Sequence, residues 1–231
     1  MFFDGYTFLL PISKFSYGYH FIHAHYTHFI LFGVVVMISF IMMMYFCSFT
    51  FKFNSNFNDG RMIEFIMKWL PANFLIFVIS PGFWLIQYQG SMLNNSDLNI
   101  KVLGHQWYWS YEYSDVPGLM FDSFMKPTDE LLSGEYRLLE VDNRCVLPFN
   151  INIGFFSSST DVVHSFCVPK CSIKLDVFNG LLSNFFYYFP IPGVYYGQCF
   201  ELCGSGHSFM PIVLEVNSME CGKVWALSYL S

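Results

Sequence analysis

Two long apolar stretches stand at the front of the chain, and short alternating segments fill the rest. Residues 29–51, FILFGVVVMISFIMMMYFCSFTF, hold no charged side chain. At about 1.5 Å per residue, a helix of that length crosses the roughly 30 Å hydrocarbon core of a bilayer. The stretch therefore predicts a membrane-spanning helix. Residues 69–88, WLPANFLIFVISPGFWLIQY, predict a second, interrupted by Pro71, Pro81 and Gly82. A membrane helix tolerates such residues where neighbouring protein re-satisfies the freed backbone groups. Asn73 and Gln87 also point to protein neighbours. A pair of buried core helices is the soluble alternative, and the uncharged first stretch argues against it. Between the two runs, the connector 52–68 carries Lys52, Arg61 and Lys68 against Asp59 and Glu64. That slight positive excess assigns it to the cytoplasmic or matrix side, and residues 1–28 and the chain's far end to the other. The opening MFFDGYTFLLPISK lacks the early positive charge and long apolar centre of a cleavable leader. Both helices are expected to be retained.

Beyond a polar, turn-rich linker at 89–99 the period changes. Strands are expected at 101–113, 136–141, 146–153, 162–167, 173–177, 193–198 and 211–216, separated by turn signals such as VPG, LSGE, VFNG and IPG. This pattern over residues 100–231 predicts an all-β sandwich or barrel. In GHQWYWSYEY, alternation sends Trp107, Trp109, Tyr111 and Tyr113 to one face and Gln106, Tyr108, Ser110 and Glu112 to the other. Packing is the ordinary reading of such aromatics.

Composition agrees with a membrane anchor: 54% of residues are hydrophobic, 21% aromatic and only 12% charged, about half the usual charged fraction. The charge is unevenly placed. Asp4, Asp59, Glu64 and Asp97 balance Lys14, Lys52, Arg61 and Lys68, so the net −6 belongs to the second half. A negative domain repels nucleic acid and suits a basic protein partner, although a plain solvated surface explains the charge equally well.

The chemistry concentrates in GQCFELCGSGHSFMP, residues 197–211. Seven cysteines cannot all pair internally. Cys199, Cys203, His207 and Met210 instead present thiolate, imidazole and thioether donors, a soft set that selects copper, zinc or iron over magnesium or calcium. Two cysteines and two histidines would satisfy structural zinc. Met210 and the acidic Glu201 between the thiols argue against it. A mononuclear blue-copper site has one thiolate fewer, whereas two bridging thiolates would hold two coppers. The second histidine is expected to be His164 in DVVHSF. His20, His23, His25 and His28 crowd the mouth of the first helix, and His105 reads as a hydrogen-bonded structural residue. Phe200, Phe209 and Val213 are expected to exclude water from the loop.

GHQWYWSYEY, LLEVDNRCVLP, DVVHSF and YYGQCFELCGSGHSFMPIVLEV, behind two spanning helices, resemble cytochrome c oxidase subunit 2 of the copper A-containing, mitochondrial type. The likeness is weak over residues 1–60 and strong from about 100 onward. It implies a two-helix transmembrane hairpin followed by a cupredoxin-like Greek-key barrel. It further implies a binuclear copper A centre in which Cys199 and Cys203 bridge two coppers and His164 and His207 each bind one. Met210 is the weak axial ligand of one copper and the Glu201 carbonyl serves the other, while the Glu201 side chain reaches a magnesium ion shared with subunit 1. Trp107 matches the residue that takes electrons from cytochrome c. Glu112, Asp122, Asp142 and Asp161 resemble cytochrome c docking positions, and Glu64 a carboxylate at the mouth of a proton path. The implied activity is a subunit of a proton-translocating terminal oxidase in the respiratory chain, with oxygen reduction itself in subunit 1.

Composition and the missing leader resemble mitochondrially encoded versions, implying the inner membrane with the barrel in the intermembrane space; a bacterial plasma membrane is the other address. Some positions depart from the family. Cys167 and Cys171 are surplus thiols able to mis-ligate copper or pair with each other. Cys145 and Cys221 are expected to be small buried hydrophobes, and Leu181 stands where an arginine facing subunit 1 is usual. The rival function is a membrane-anchored, zinc-stabilised or copper-delivery module without electron relay.

Overall fold

The computed structural model of the chain describes residues 14–48, 60–91, 96–171 and 173–231. They fall into a helical unit and a β unit. The expectations for residues 1–13, the end of the first span at 49–51, the connector at 52–59 and the linker at 92–95 lie outside the described residues.

Helix α1, Lys14–Ser48, starts well before the apolar run because no proline follows Pro11 until Pro71. Its segment His28–Cys47 has a mean hydropathy of 2.6, and none of it is buried against the described residues. By length and composition it is apolar enough to cross a membrane. Helix α2, Arg61–Ser91, begins inside the expected connector and runs through Pro71, Pro81 and Gly82 unbroken. Asn73 turns its amide onto the Trp69 carbonyl of its own helix at 2.7 Å.

The β unit is a two-layer barrel of ten strands. One sheet has the order β3-β2-β1-β5-β8, built from Met120–Ser123, Tyr108–Tyr113, Leu98–His105, Asn152–Ser159 and Ser183–Tyr188. The other has the order β4-β10-β9-β6-β7, built from Cys145–Pro148, Pro211–Asn217, Gly193–Cys199, His164–Val168 and Ile173–Val177. The parallel pairs β1·β5 and β4·β10 are made by chain that crosses between layers, and the remaining pairs are antiparallel. Between the sheets lie Trp109, Tyr111, Phe155, Phe166, Leu147 and Leu214, all fully buried. At about 25 cal/mol per Å² of apolar surface removed from water, such side chains dominate the stability of the barrel.

The structure corrects the strand assignments at several places. The expected strand 101–113 is a hairpin, because the chain turns at Gln106 and Trp107 and β1 pairs with β2. Segment 136–141 is a series of turns that adds no strand to either sheet: Val141 bridges Met125 outside the strands, and Glu140 accepts from the Tyr196 hydroxyl of β9. Segment 146–153 splits at Asn150, whose φ of 62° sends β4 and β5 into different sheets. β3, β8 and the C-terminal helix α3, Met219–Leu230, were not expected. α3 is capped by Ser218, whose hydroxyl accepts from the Cys221 N–H. Cys221, in the first turn of that helix, is exposed rather than buried, while Cys145 is fully buried as expected.

Candidate metal centre

The donors come from one end of the β4-β10-β9-β6-β7 sheet. Cys199 ends β9, Met210 immediately precedes β10, and the intervening loop carries Glu201, Cys203 and His207. His164 opens β6, the neighbour of β9 in the sheet, and the Phe200 N–H fastens the loop to the Ser165 carbonyl at 3.0 Å. The Trp109 indole N–H donates to the Met210 carbonyl at 3.3 Å, and its ring meets His164 edge-on. Gly104 makes room for that imidazole: a Cβ there would stand 2.9 Å from His164 Cδ2.

All six expected donors converge. The Cys199 and Cys203 sulfurs are 3.9 Å apart. His164 Nδ1 lies 3.9 Å from Cys199 Sγ, and His207 Nδ1 lies 3.5 Å from Cys203 Sγ. Met210 Sδ approaches Cys203 Sγ at 3.6 Å, and the Glu201 carbonyl approaches Cys199 Sγ at 3.4 Å. His164, Cys199, Cys203 and Met210 are buried. Burial opposes ionisation of Cys199, but bonds from His164 and nearby backbone outweigh it and bring the thiol down to about 7. Burial and then the Cys199 charge push Cys203 up to about 12. Two neighbouring thiolates in an apolar end of a barrel need cations to neutralise them. Soft sulfur and imidazole donors, with a thioether in reach, fit copper.

Among the other expected residues, Trp107 sits in the turn rather than on the strand, with its indole N–H on the Cys203 carbonyl at 3.2 Å. Gln106, predicted for the opposite face, donates its side-chain amide to the same carbonyl at 2.7 Å. Sequence alternation missed Gln106 because the turn breaks the period of two. Glu201 is exposed. Glu112 pairs with Lys101 at 2.8 Å, Asp122 accepts from Ser110 at 2.6 Å, and Asp142 accepts from the Phe124 N–H at 2.8 Å. Asp161 meets His164 Nε2 at 2.8 Å. Glu64 lies in the first turn of α2, 3.9 Å from Lys68 with both side chains exposed. His105 is held by Ser110 and Thr160, each at 2.9 Å, as expected. Cys167 and Cys171 are buried free thiols raised by burial to about 11 and about 12. Only Val213 is buried among the three expected water-excluding residues. Phe200 and Phe209 are half exposed at the loop tip, beside a cleft of about 380 Å³ lined by Gln198, Cys199, Phe200, His207 and Ser208.

A two-sheet barrel whose buried cysteine, histidine and methionine donors gather at one end is a cupredoxin-like metal-binding domain. The family model for the periplasmic domain of cytochrome c oxidase subunit II matches residues 98–217. Cytochrome c oxidase subunit 2 of Ascaris suum is 45% identical over 230 residues, covering 100% of this chain and 98% of that one. Its counterpart in Caenorhabditis elegans is 46% identical over 224 residues, covering 97% and 96%. The solved periplasmic domain of subunit II of the Bradyrhizobium japonicum oxidase is 39% identical with a TM-score of 0.55, covering 59% of this chain and 96% of that one. The chain belongs to the cytochrome c oxidase subunit 2 family. It is thus a subunit of a membrane-bound respiratory oxidoreductase that uses copper.

Proposed function

We propose that this chain accepts electrons one at a time from cytochrome c at a binuclear copper A centre and passes them to the haem and copper centres of subunit 1. The observation that carries the reading is the convergence of two thiols, two imidazoles, a thioether and a backbone carbonyl at one buried end of the barrel. Cys199 and Cys203 would bridge, His164 and His207 would each serve one copper, and Met210 and the Glu201 carbonyl would be the weak ligands. Two coppers sharing two thiolates spread a single electron over both nuclei, so transfer needs little rearrangement. Trp107 is the uptake residue: its indole touches the Cys203 carbonyl, giving a short bonded route from the surface into the cluster.

Glu112, Asp122 and Asp142 supply negative charge for a basic cytochrome c. The Glu201 side chain would hold magnesium at the boundary with subunit 1, covering the exposed Phe200, Leu202 and Phe209. Residues 29–51 and 69–88 form the two-span anchor in the inner mitochondrial membrane, with the barrel in the intermembrane space and Glu64 at a proton path. The test is copper quantification and electron paramagnetic resonance on residues 96–231. Two coppers per chain with hyperfine splitting from both nuclei is the expected result. One metal ion, or bound zinc without visible absorption, would favour the non-relaying module.

A further inference from the structure

Asp161 stands in the turn between β5 and β6 that delivers His164 to the cluster, and both oxygens of its carboxylate are engaged. Oδ2 accepts the Gln106 backbone N–H at 2.7 Å. Oδ1 accepts the Val162 N–H at 2.6 Å, meets His164 Nε2 at 2.8 Å, and has the Ser159 hydroxyl at 3.4 Å. A carboxylate offers about four lone-pair positions; the Gln106 and Val162 N–H groups and the His164 ring hold three of them, while the Ser159 hydroxyl gives its hydrogen to the Val162 carbonyl.

The two ends of the bridge matter chemically. With its hydrogen committed to Asp161 at Nε2, the His164 ring keeps Nδ1 free, and that is the nitrogen facing Cys199. An acceptor on the far nitrogen fixes the tautomer and ring orientation and raises the basicity of a metal-binding imidazole. At its other end, Asp161 holds the backbone of Gln106. The Gln106 side chain and the next residue, Trp107, both bond the Cys203 carbonyl. We infer that Asp161 is a positioning residue, clamping the electron-uptake turn and the metal ligand His164 to a single carboxylate. The inference rests on reading the cluster as the metal centre.

The test uses the full-length chain in detergent, parent against Asp161→Ala and Asp161→Asn, loaded with copper or with zinc. Chelator competition is expected to show metal affinity lowered about 10- to 100-fold in Asp161→Ala, the usual cost of losing an outer partner of a histidine ligand, with a smaller loss in Asp161→Asn, which keeps one acceptor. Copper-loaded variants should show an altered His164 nitrogen hyperfine coupling and a raised reduction potential, and the Gln106 amide should exchange with deuterium about tenfold faster or more. If Asp161→Ala fails to fold, the coupling and amide exchange of Asp161→Asn decide. Unchanged affinity, coupling and amide exchange, with only a weaker salt dependence of electron uptake, would overturn the inference and leave Asp161 as a docking charge alone. A parent chain lacking the two-copper signal would instead sink the proposed function, while affinity for whatever metal it binds still reads the clamp.

Discussion

A Cβ added at Gly206 would stand 2.3 Å from Cδ2 of Trp107, and one at Gly204, where φ is +119°, would stand 3.0 Å from the same indole. The indole therefore lies directly on the ligand loop, and the two glycines are there because any side chain would lift it away. Trp107→Ala is expected to slow electron uptake more than tenfold while copper content holds, read by stopped flow alongside metal analysis. Gly206→Ala should act in the same direction by tilting the ring. Copper loss from the tryptophan variant would make the ring a scaffold. At the far end of the core, Cys145, Tyr111 and Tyr113 sit together fully buried, and burial pushes the Cys145 thiol from 9.0 up to about 12 and both phenols upward. Folding holds these groups neutral, so their contribution to stability is complete below pH about 9. It is lost as pH climbs towards the folded values, at about 1.4 kcal/mol per pH unit for each group. Cys145→Ala should flatten that alkaline slope in denaturant titrations of the metal-free barrel. An unchanged slope would show that the thiol ionises in place.

At the scale of elements, the sequence was most informative where chemistry and period coincide. The loop 197–211 was legible because its donor residues are few and closely spaced, and His164 could be named as the distant partner because it lies in an expected strand and in the DVVHSF stretch that carries the family resemblance; that β6 lies beside β9 was not legible. Turns that interrupt an aromatic run were not legible. Gln106 and Trp107 break the GHQWYWSYEY strand without a glycine or proline between them, so alternation placed them on opposite faces although both reach the Cys203 carbonyl. Segment 136–141 alternates like a strand, yet Glu140 is buried and takes Arg144 at 3.0 Å and the Tyr196 hydroxyl at 2.7 Å. Those bonds pin the loop over β9 and replace a ladder. Arg144 also reaches Glu215 of β10 at 3.2 Å, joining loop and sheet. Removing one partner of a buried ion pair costs about 3–5 kcal/mol, and the partial exposure of Arg144 reduces this. Arg144→Met is therefore expected to cost about 2–3 kcal/mol in urea unfolding of the barrel, with Glu140→Gln costing less. A loss below about 0.5 kcal/mol would mean that Tyr196 alone satisfies the buried carboxylate.

For the whole molecule, the contrast between a charge-balanced first half and a negative second half has a kinetic meaning rather than a structural one. Net charge shapes how fast partners meet and says little about fold. The acids face different constraints. Glu112 is shared with Lys101, Asp122 is shared with Ser110, and Asp142 caps backbone N–H groups of Phe124 and Asn143. Each spends part of its hydrogen-bonding capacity inside the barrel, so their common effect on a basic partner is a long-range field more than a set of specific contacts. Fields of this kind raise association rates steeply at low salt and fade once the Debye length, about 8 Å at physiological ionic strength, falls below the separation of the surfaces. The triple variant Glu112→Gln, Asp122→Asn, Asp142→Asn should therefore take electrons from cytochrome c about tenfold more slowly than the parent at 10 mM salt. The two rates should converge near 0.5 M, with copper content equal throughout. A deficit that persists at high salt would locate the loss in contact geometry or in the barrel itself, whereas equal rates at low salt would leave the acidic surface without a part in docking.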